Sequence, residues 1–128
     1  MDTISNLIIA IKNAGNANKA SIRVPGSALK TAICELLKRE GYIKTYHVEG
    51  DIKKEIEIVL EYGRQGLPRV SGVKRISKSS KRVYTGVKDI TPVKYGHGIS
   101  VISTPKGLLT DKQARLEQVG GELLFTIW

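Results

Sequence analysis

A single cysteine, Cys34, and two histidines, His47 and His97, are all the thiol and imidazole ligands that 128 residues provide. One cysteine closes no disulfide within the chain, and a structural zinc site needs a cluster of ligands that is missing here. No apolar run approaches the ~20 residues of a membrane-crossing helix. The chain opens Met1-Asp2 with no basic and apolar leader, so neither a membrane protein nor a signal-bearing precursor is expected. The length suits one domain or two small ones sharing an interface, because a piece of roughly 60 residues is marginal alone. A large cofactor-binding enzyme is thereby excluded, and a metal-free protein of a reducing compartment, with no cofactor and no small-molecule substrate, is expected.

Acid is the next absence. From residue 62 to residue 88 there is none, while Arg64, Arg69, Lys74, Arg75, Lys78, Lys81, Arg82 and Lys88 supply eight cations. Of the net charge of +9, residues 1–66 carry +2 and residues 67–128 carry +7. Such a field suits a polyanion, whose phosphates are neutralised as condensed counterions are released. The competing reading is a basic surface that serves only solubility.

Hydrophobic spacing organises the first half. Ile4, Leu7, Ile8 and Ile11 recur at helical period, and the Asn13-Ala14-Gly15-Asn16 cluster is expected to stop that helix after residue 14. Ile22 and Val24 alternate with Arg23 in a short strand over 21–24, with Pro25-Gly26 as its exit. Ser27 caps a second helix with Leu29, Ile33, Leu36 and Leu37 on one face and Gly41 as a left-handed stop. Strands over 43–48 and around Ile56, Ile58 and Leu60 follow, separated by a Gly50-Asp51 turn. The Gly-containing stretch 62–68 marks the charge shift and is the expected boundary between domains 1–66 and 67–128. Beyond it Val70, Val73 and Ile76, then Val83-Tyr84, then 99–102 read as extended. Thr110 with Gln113 forms a capping box for a short helix expected to end at Val119 with Gly120 as its stop, and 123–128 closes the chain as a strand. The fold class is α+β: helices on a small sheet, then a mostly β domain with one short helix.

Few groups converge for catalysis. Gly96-His97-Gly98 precedes a strand, whereas a dinucleotide loop follows one and opens a helix, so a tight turn is the better reading. His47 reads as a surface imidazole and Cys34 as a buried small hydrophobe. Glu122, after Gly120-Gly121, is the one acid that looks placed; it is an acid or base acting with His97, or the partner of a Lys or Arg. The segment 98–109 resists a bland reading: a strand ends in Ser103-Thr104, then Pro105-Lys106-Gly107, with a capped helix close behind. Hydroxyls and main-chain N–H groups at a strand-to-helix corner can hydrogen-bond bases, sugars or phosphates, and Lys106 adds charge. An ordinary turn is the alternative.

The run 98–115, with Ser103-Thr104, Lys106-Gly107, Thr110-Asp111 and Ala114-Arg115, then Gly120-Gly121-Glu122 and the closing Trp128, resembles the family of the eighth protein of the bacterial and organellar small ribosomal subunit. The resemblance extends through Lys74-Arg75-Ile76-Ser77 and Arg82-Val83-Tyr84, and more loosely to Asp2-Thr3-Ile4, Ile11-Lys12-Asn13-Ala14 and the end of the second helix. It implies two small α/β domains, the second gripping a helical stem in the central domain of small-subunit ribosomal RNA during assembly, without catalysis. The RNA-contacting corner falls on Ser103, Thr104 and Lys106, with Tyr84 and Glu122 nearby as stacking and hydrogen-bonding or lysine-orienting groups. Lys74, Arg75, Lys78, Lys81 and Arg82 supply the basic surface. Without the resemblance, Tyr84 reads better as half-buried packing than as a base stack, since a tyrosine in a strand is more often packed. Two departures stand out: Pro105 replaces a second serine, and Ser79-Ser80 replaces Pro-Gly in the basic loop. In the first domain Lys12, Lys19 or Lys30 is expected to touch RNA backbone, and a face is expected for neighbouring ribosomal proteins, among them the fifth. The ending resembles chloroplast-encoded members, which points to ribosomes of the plastid stroma, with a bacterial cytoplasm as the alternative. The rivals are a non-ribosomal basic nucleic-acid module and a small hydrolase using Glu122 with His97.

Overall fold

The computed structural model describes residues 3–128, apart from the side chain of Tyr95. Met1 and Asp2, on which the expectation of a leaderless start and part of the resemblance rest, lie outside these residues. The chain divides into two compact units, one of Thr3–Ser71 and one beginning at Gly72 and ending at Trp128. The shift in charge at 66/67 therefore precedes the division by five residues. The intervening loop folds back onto its own unit: Tyr62 bridges to Pro68, the Arg69 amide donates to Glu61 O at 3.1 Å, and the Arg69 guanidinium lies 4.1 Å from the Tyr42 ring centre.

The first unit has helices α1 (Thr3–Asn16) and α2 (Ala28–Arg39) and strands β1 (Ser21–Pro25), β2 (Ile43–Glu49) and β3 (Glu55–Leu60) in the antiparallel order β1-β3-β2. The periodic residues Ile4, Leu7, Ile8 and Ile11 are all buried, as are Ile33, Cys34, Leu36 and Leu37 of α2 and Ile56, Ile58 and Leu60 of β3. Each such aliphatic side chain contributes about 1.5–3 kcal/mol by leaving water. Burial also pushes the Cys34 thiol up to about 12, which keeps it an inert hydrophobe. Helix α1 runs through the Asn-rich cluster to Asn16, because Ala14 and Gly15 are still buried against the unit and packing outweighs weak local propensity. Helix α2 starts as expected, with the Ser27 hydroxyl accepting the Lys30 amide at 3.2 Å, and is followed by Gly41 at φ +82°.

The second unit holds β4 (Val73–Arg75), β5 (Tyr84–Thr85), β6 (Ile99–Thr104), β7 (Gly107–Thr110), α3 (Asp111–Glu117) and β8 (Gly121–Ile127). The antiparallel order is β4-β8-β6-β7, and β5 also pairs with β8. Val101, Ile102, Phe125 and Ile127 are fully buried, and Ile102 packs with Ile90 and Ala114 beneath Leu109, Val119 and Leu123. Three expectations are corrected. Strand β7, which the sequence pattern does not announce, intervenes between β6 and α3, so Pro105 and Lys106 form a hairpin turn between Thr104 and Gly107 and not a strand-to-helix corner. Strand β8 begins at Gly121, two residues earlier than expected. Helix α3 ends at Glu117, and Gln118, at φ 56°, makes the left-handed stop assigned to Gly120. Gly120 instead permits a close approach of backbones, since a Cβ there would stand 2.3 Å from Thr85 O.

At Gly121 a Cβ would stand 2.0 Å from Ser103 O, so no side chain fits without parting β6 from β8. Gly121→Ala is expected to destabilise by at least the roughly 1–3 kcal/mol of an overpacked core and to abolish amide protection along the β6–β8 ladder. Gly41→Ala, where nothing lies within 4 Å of the added carbon, meets only left-handed backbone strain of about 1–2 kcal/mol. Hydrogen exchange read residue by residue checks the contrast, since the second variant leaves β6 and β8 unchanged.

Candidate nucleic-acid interface

Pairing along β8 assembles the expected residues into one row. Glu122 lies opposite Tyr84 of β5 on one edge and opposite Ser103 of β6 on the other, and Ser103 in turn faces Leu108 of β7. Directly paired residues project to the same face of a sheet with Cβ atoms about 5 Å apart, so Tyr84 and Ser103 flank Glu122 across about 10 Å. Tyr84 is 71% exposed, which overturns the half-buried packing reading: its ring is presented, not packed. Ser103 is exposed as well, on the face opposite the buried Ile102.

Glu122 is the electrostatic centre of the row. Its Oε2 accepts the Ser77 hydroxyl and, at 3.0 Å, an N–H of Arg82. The Ser77 hydrogen bond, then the Arg82 and Arg75 charges, hold its carboxyl below the usual carboxylate range against an opposing desolvation. Glu122 therefore pairs with a cation, as one of the two sequence readings had it. The acid-base reading with His97 fails on distance. His97 precedes β6 and Glu122 is paired at its far end, a separation of six residues or about 20 Å along a strand.

The basic residues divide into those tied to the protein and those turned outward. Arg75 donates to Leu124 O, and Arg82 is held by Glu122. Lys74, Lys78 and Lys81 are exposed, with no carboxylate within ion-pair distance among the described residues. Lys78 and Lys81 close a tight turn by exchanging main-chain hydrogen bonds of 2.9 and 3.0 Å. Lys106 is exposed but paired with Glu117 at 3.1 Å, both side chains being about half accessible; such a surface pair contributes about 0–1 kcal/mol and yields readily to another anion.

Two expected contacts are corrected. The Thr104 hydroxyl donates to Gly107 O at 2.8 Å and accepts the Lys106 amide at 3.1 Å. Its single proton is used inside the hairpin turn, so Thr104 shapes the corner while Ser103 faces outward. Lys30 is buried, and its Nζ donates to Pro25 O at 2.9 Å, which removes it from any surface role; Lys12 is half-buried and Lys19 exposed. Sequence reading missed Ser77, which is fully buried and joins Glu122 to the Val83 amide, and Glu117, which holds Lys106. A serine within a basic run was the available signal. Among the described residues no His, Cys, Asp or Glu cluster could hold a metal, and no helix is long and apolar enough to cross a membrane.

Comparison with known proteins places these features in context. The family described as Ribosomal protein S8 matches residues 2–128. Curated relatives carrying the name "Small ribosomal subunit protein uS8" include one from Mycoplasma mobile, 44% identical over 99% of this chain and 96% of the relative. One from Neisseria meningitidis serogroup C is 45% identical over 96% and 94%, and one from a Bradyrhizobium species is 46% identical over 99% and 97%.

Because the Glu122 carboxyl is held below its ordinary range in the folded chain, the stability it brings is complete above its unfolded pKa and is lost as pH falls through the lower folded one. Glu122→Gln is expected to flatten the acid limb of the urea midpoint plotted against pH in that window, below the ordinary glutamate range. Thr104→Val is expected to lower stability at every pH by about 0.5–1.5 kcal/mol for each turn bond lost. Denaturant melts of the three proteins between pH 3 and 7 check both.

Proposed function

That this chain belongs to the family of ribosomal protein S8 is the premise from which we propose that its second unit binds a helical stem in the central domain of small-subunit ribosomal RNA and so supports assembly of the subunit. The chain is a structural protein of the small ribosomal subunit, acts in translation and is not an enzyme. The observation that carries the RNA reading is the row Tyr84–Glu122–Ser103, with Tyr84 and Ser103 exposed, the exposed lysines of the 78–81 turn following Ser77, which bonds Glu122, and Lys106 three residues beyond Ser103.

A-form RNA has a deep, narrow major groove that side chains read poorly, so recognition falls on backbone, 2′-OH groups and unstacked bases. Tyr84 offers a stacking face, Ser103 a hydroxyl that can donate and accept, and Glu122 an acceptor for a base amine or a 2′-OH. Lys74, Lys78, Lys81 and Lys106 neutralise phosphates. Arg75, bonded to Leu124 O, and Arg82, bonded to Glu122, add positive charge behind the row, while Thr104 fixes the turn. In the first unit Lys12 and Lys19 reach RNA backbone, and the remaining surface meets neighbouring ribosomal proteins, among them the fifth. The protein resides in ribosomes. The relatives named above are bacterial, which lends the chloroplast expectation no support and fits its alternative, the bacterial cytoplasm.

Binding of the full chain to the isolated central domain of small-subunit ribosomal RNA, to a scrambled stem and to duplex DNA tests this reading. Ser103→Ala is expected to weaken the central-domain complex roughly two- to ten-fold, the equivalent of one net hydrogen bond of about 0.5–1.5 kcal/mol, and to leave scrambled RNA unchanged. Lys106→Ala is expected to weaken both RNAs and to reduce the salt slope by nearly one unit. Equal affinity of the unaltered chain for all three nucleic acids overturns the proposal.

A further inference from the structure

Between β4 and β5 the chain leaves the edge of β8 and returns to it, carrying Lys78 and Lys81 at its tip. Its outgoing arm is held by the Ile76 and Ser77 amides, which donate to Leu124 O at 3.1 and 3.3 Å. Its returning arm is held by Val83 O, which accepts the Leu123 amide at 2.9 Å. Ser77 links the two arms: its hydroxyl accepts the Val83 amide at 3.1 Å and donates to Glu122 Oε2. The side chain is fully buried, and Arg82 reaches the same carboxylate oxygen from the solvent side.

We propose that Ser77 is the positioning residue of the interface, its buried hydroxyl clamping both arms of the basic hairpin to Glu122 so that Lys78 and Lys81 stand at a fixed distance from Tyr84 and Ser103. This rests on the RNA-binding reading above and deepens it. A four-residue turn has no core of its own, and among the described residues no carboxylate lies within ion-pair distance of either lysine. Their placement comes from the ends of the hairpin. A phosphate contact made by a preplaced lysine avoids the ordering of side chain and loop that binding otherwise demands. Placing the clamp on Glu122 couples the phosphate-facing lysines to the residue in the middle of the row. Ser77 thereby bears on specificity without touching RNA, since unrelated RNA needs charge at no particular spacing.

The test uses the full chain at a temperature where circular dichroism shows wild type and Ser77→Ala both folded. Ser77→Ala is expected to weaken the central-domain RNA complex on the order of ten-fold, as loss of a bond to a charged group implies, with scrambled RNA within two-fold of wild type. The Glu122 carboxyl, followed by carbon NMR, is expected to titrate at higher pH than in wild type. Unchanged affinity for the central domain, equal losses on both RNAs, or an unmoved Glu122 titration overturns the proposal. Wild type that does not prefer the central domain to the scrambled stem overturns the underlying reading instead. Should Ser77→Ala not fold, Ser77→Cys, of similar volume and with a weak donor, is read in the same way. In wild type the Val83 amide is expected to exchange as slowly as those of β8, and exchange at the rate of an open loop overturns the clamp whatever the variants do.

Discussion

Strands β4, β5 and β6 of the second unit are all hydrogen-bonded to β8, and β8 can take β5 and β6 on its two edges only because its first residue, Gly121, and the residue before it, Gly120, lack side chains. At Gly120 the neighbouring obstacle is Thr85 O, and at Gly121 it is Ser103 O. These close approaches bring β5 and β6 against opposite edges of the strand at the same level, which puts Tyr84 and Ser103 on either side of Glu122. The row that defines the candidate interface is thus a consequence of backbone contact. A larger residue at either glycine would separate the flanking strands and scatter side chains whose identities were unchanged.

The second constraint is electrostatic. A unit with a surplus of cations is opposed in its compactness by self-repulsion, and Glu122 is bonded to one of those cations, Arg82, and lies in the field of a second, Arg75. A half-buried carboxylate in such a field needs donors as well as charges, because desolvation opposes its ionisation. Ser77 supplies one without adding a cation. The result is a group that stays ionised, anchors one arginine and leaves the outward lysines unopposed. Charge used internally and charge turned outward are kept on different residues: Arg75 and Arg82 bind the protein, and Lys74, Lys78 and Lys81 are exposed.

What could be read from the sequence followed from local physics. The helical period located the buried faces of α1 and α2, Ser27 and Thr110 announced their helices as caps, and the acid-free run located the basic hairpin. What could not be read depended on register or on competition between sites. Whether Tyr84 was packed or presented turns on which residue of β8 it faces, and no local pattern states that. Gly120 looked like a helix stop because glycine is the usual left-handed residue there; its place was needed at Thr85 O, so Gln118 took the left-handed conformation. Strand β7 escaped notice because four residues, two of them leucine, offer too little alternation to distinguish a strand from the approach to a helix. The end of α1 and the domain boundary moved by a few residues for a related reason: Ala14, Gly15 and the 62–69 loop are held by contacts within their unit, which outweigh their turn-like composition.

Pro105 shows how shape and recognition are divided at the hairpin turn. It occupies the first position of a two-residue turn between Thr104 and Gly107, where a preset φ favours the turn and no ladder bond requires its N–H. Thr104 completes the turn by accepting the Lys106 amide and donating to Gly107 O. Three of the four residues after Ser103 are therefore committed to geometry, and Lys106 is the one left to carry charge. A serine at 105 would return a hydroxyl and an N–H to the tip but leave the turn less restricted. With proline there, the outward hydroxyl at this corner is that of Ser103, whose direction is fixed by its pairing with Glu122 and Leu108. The loss of one polar group at the tip is thus met by a stiffer presentation of the group that remains.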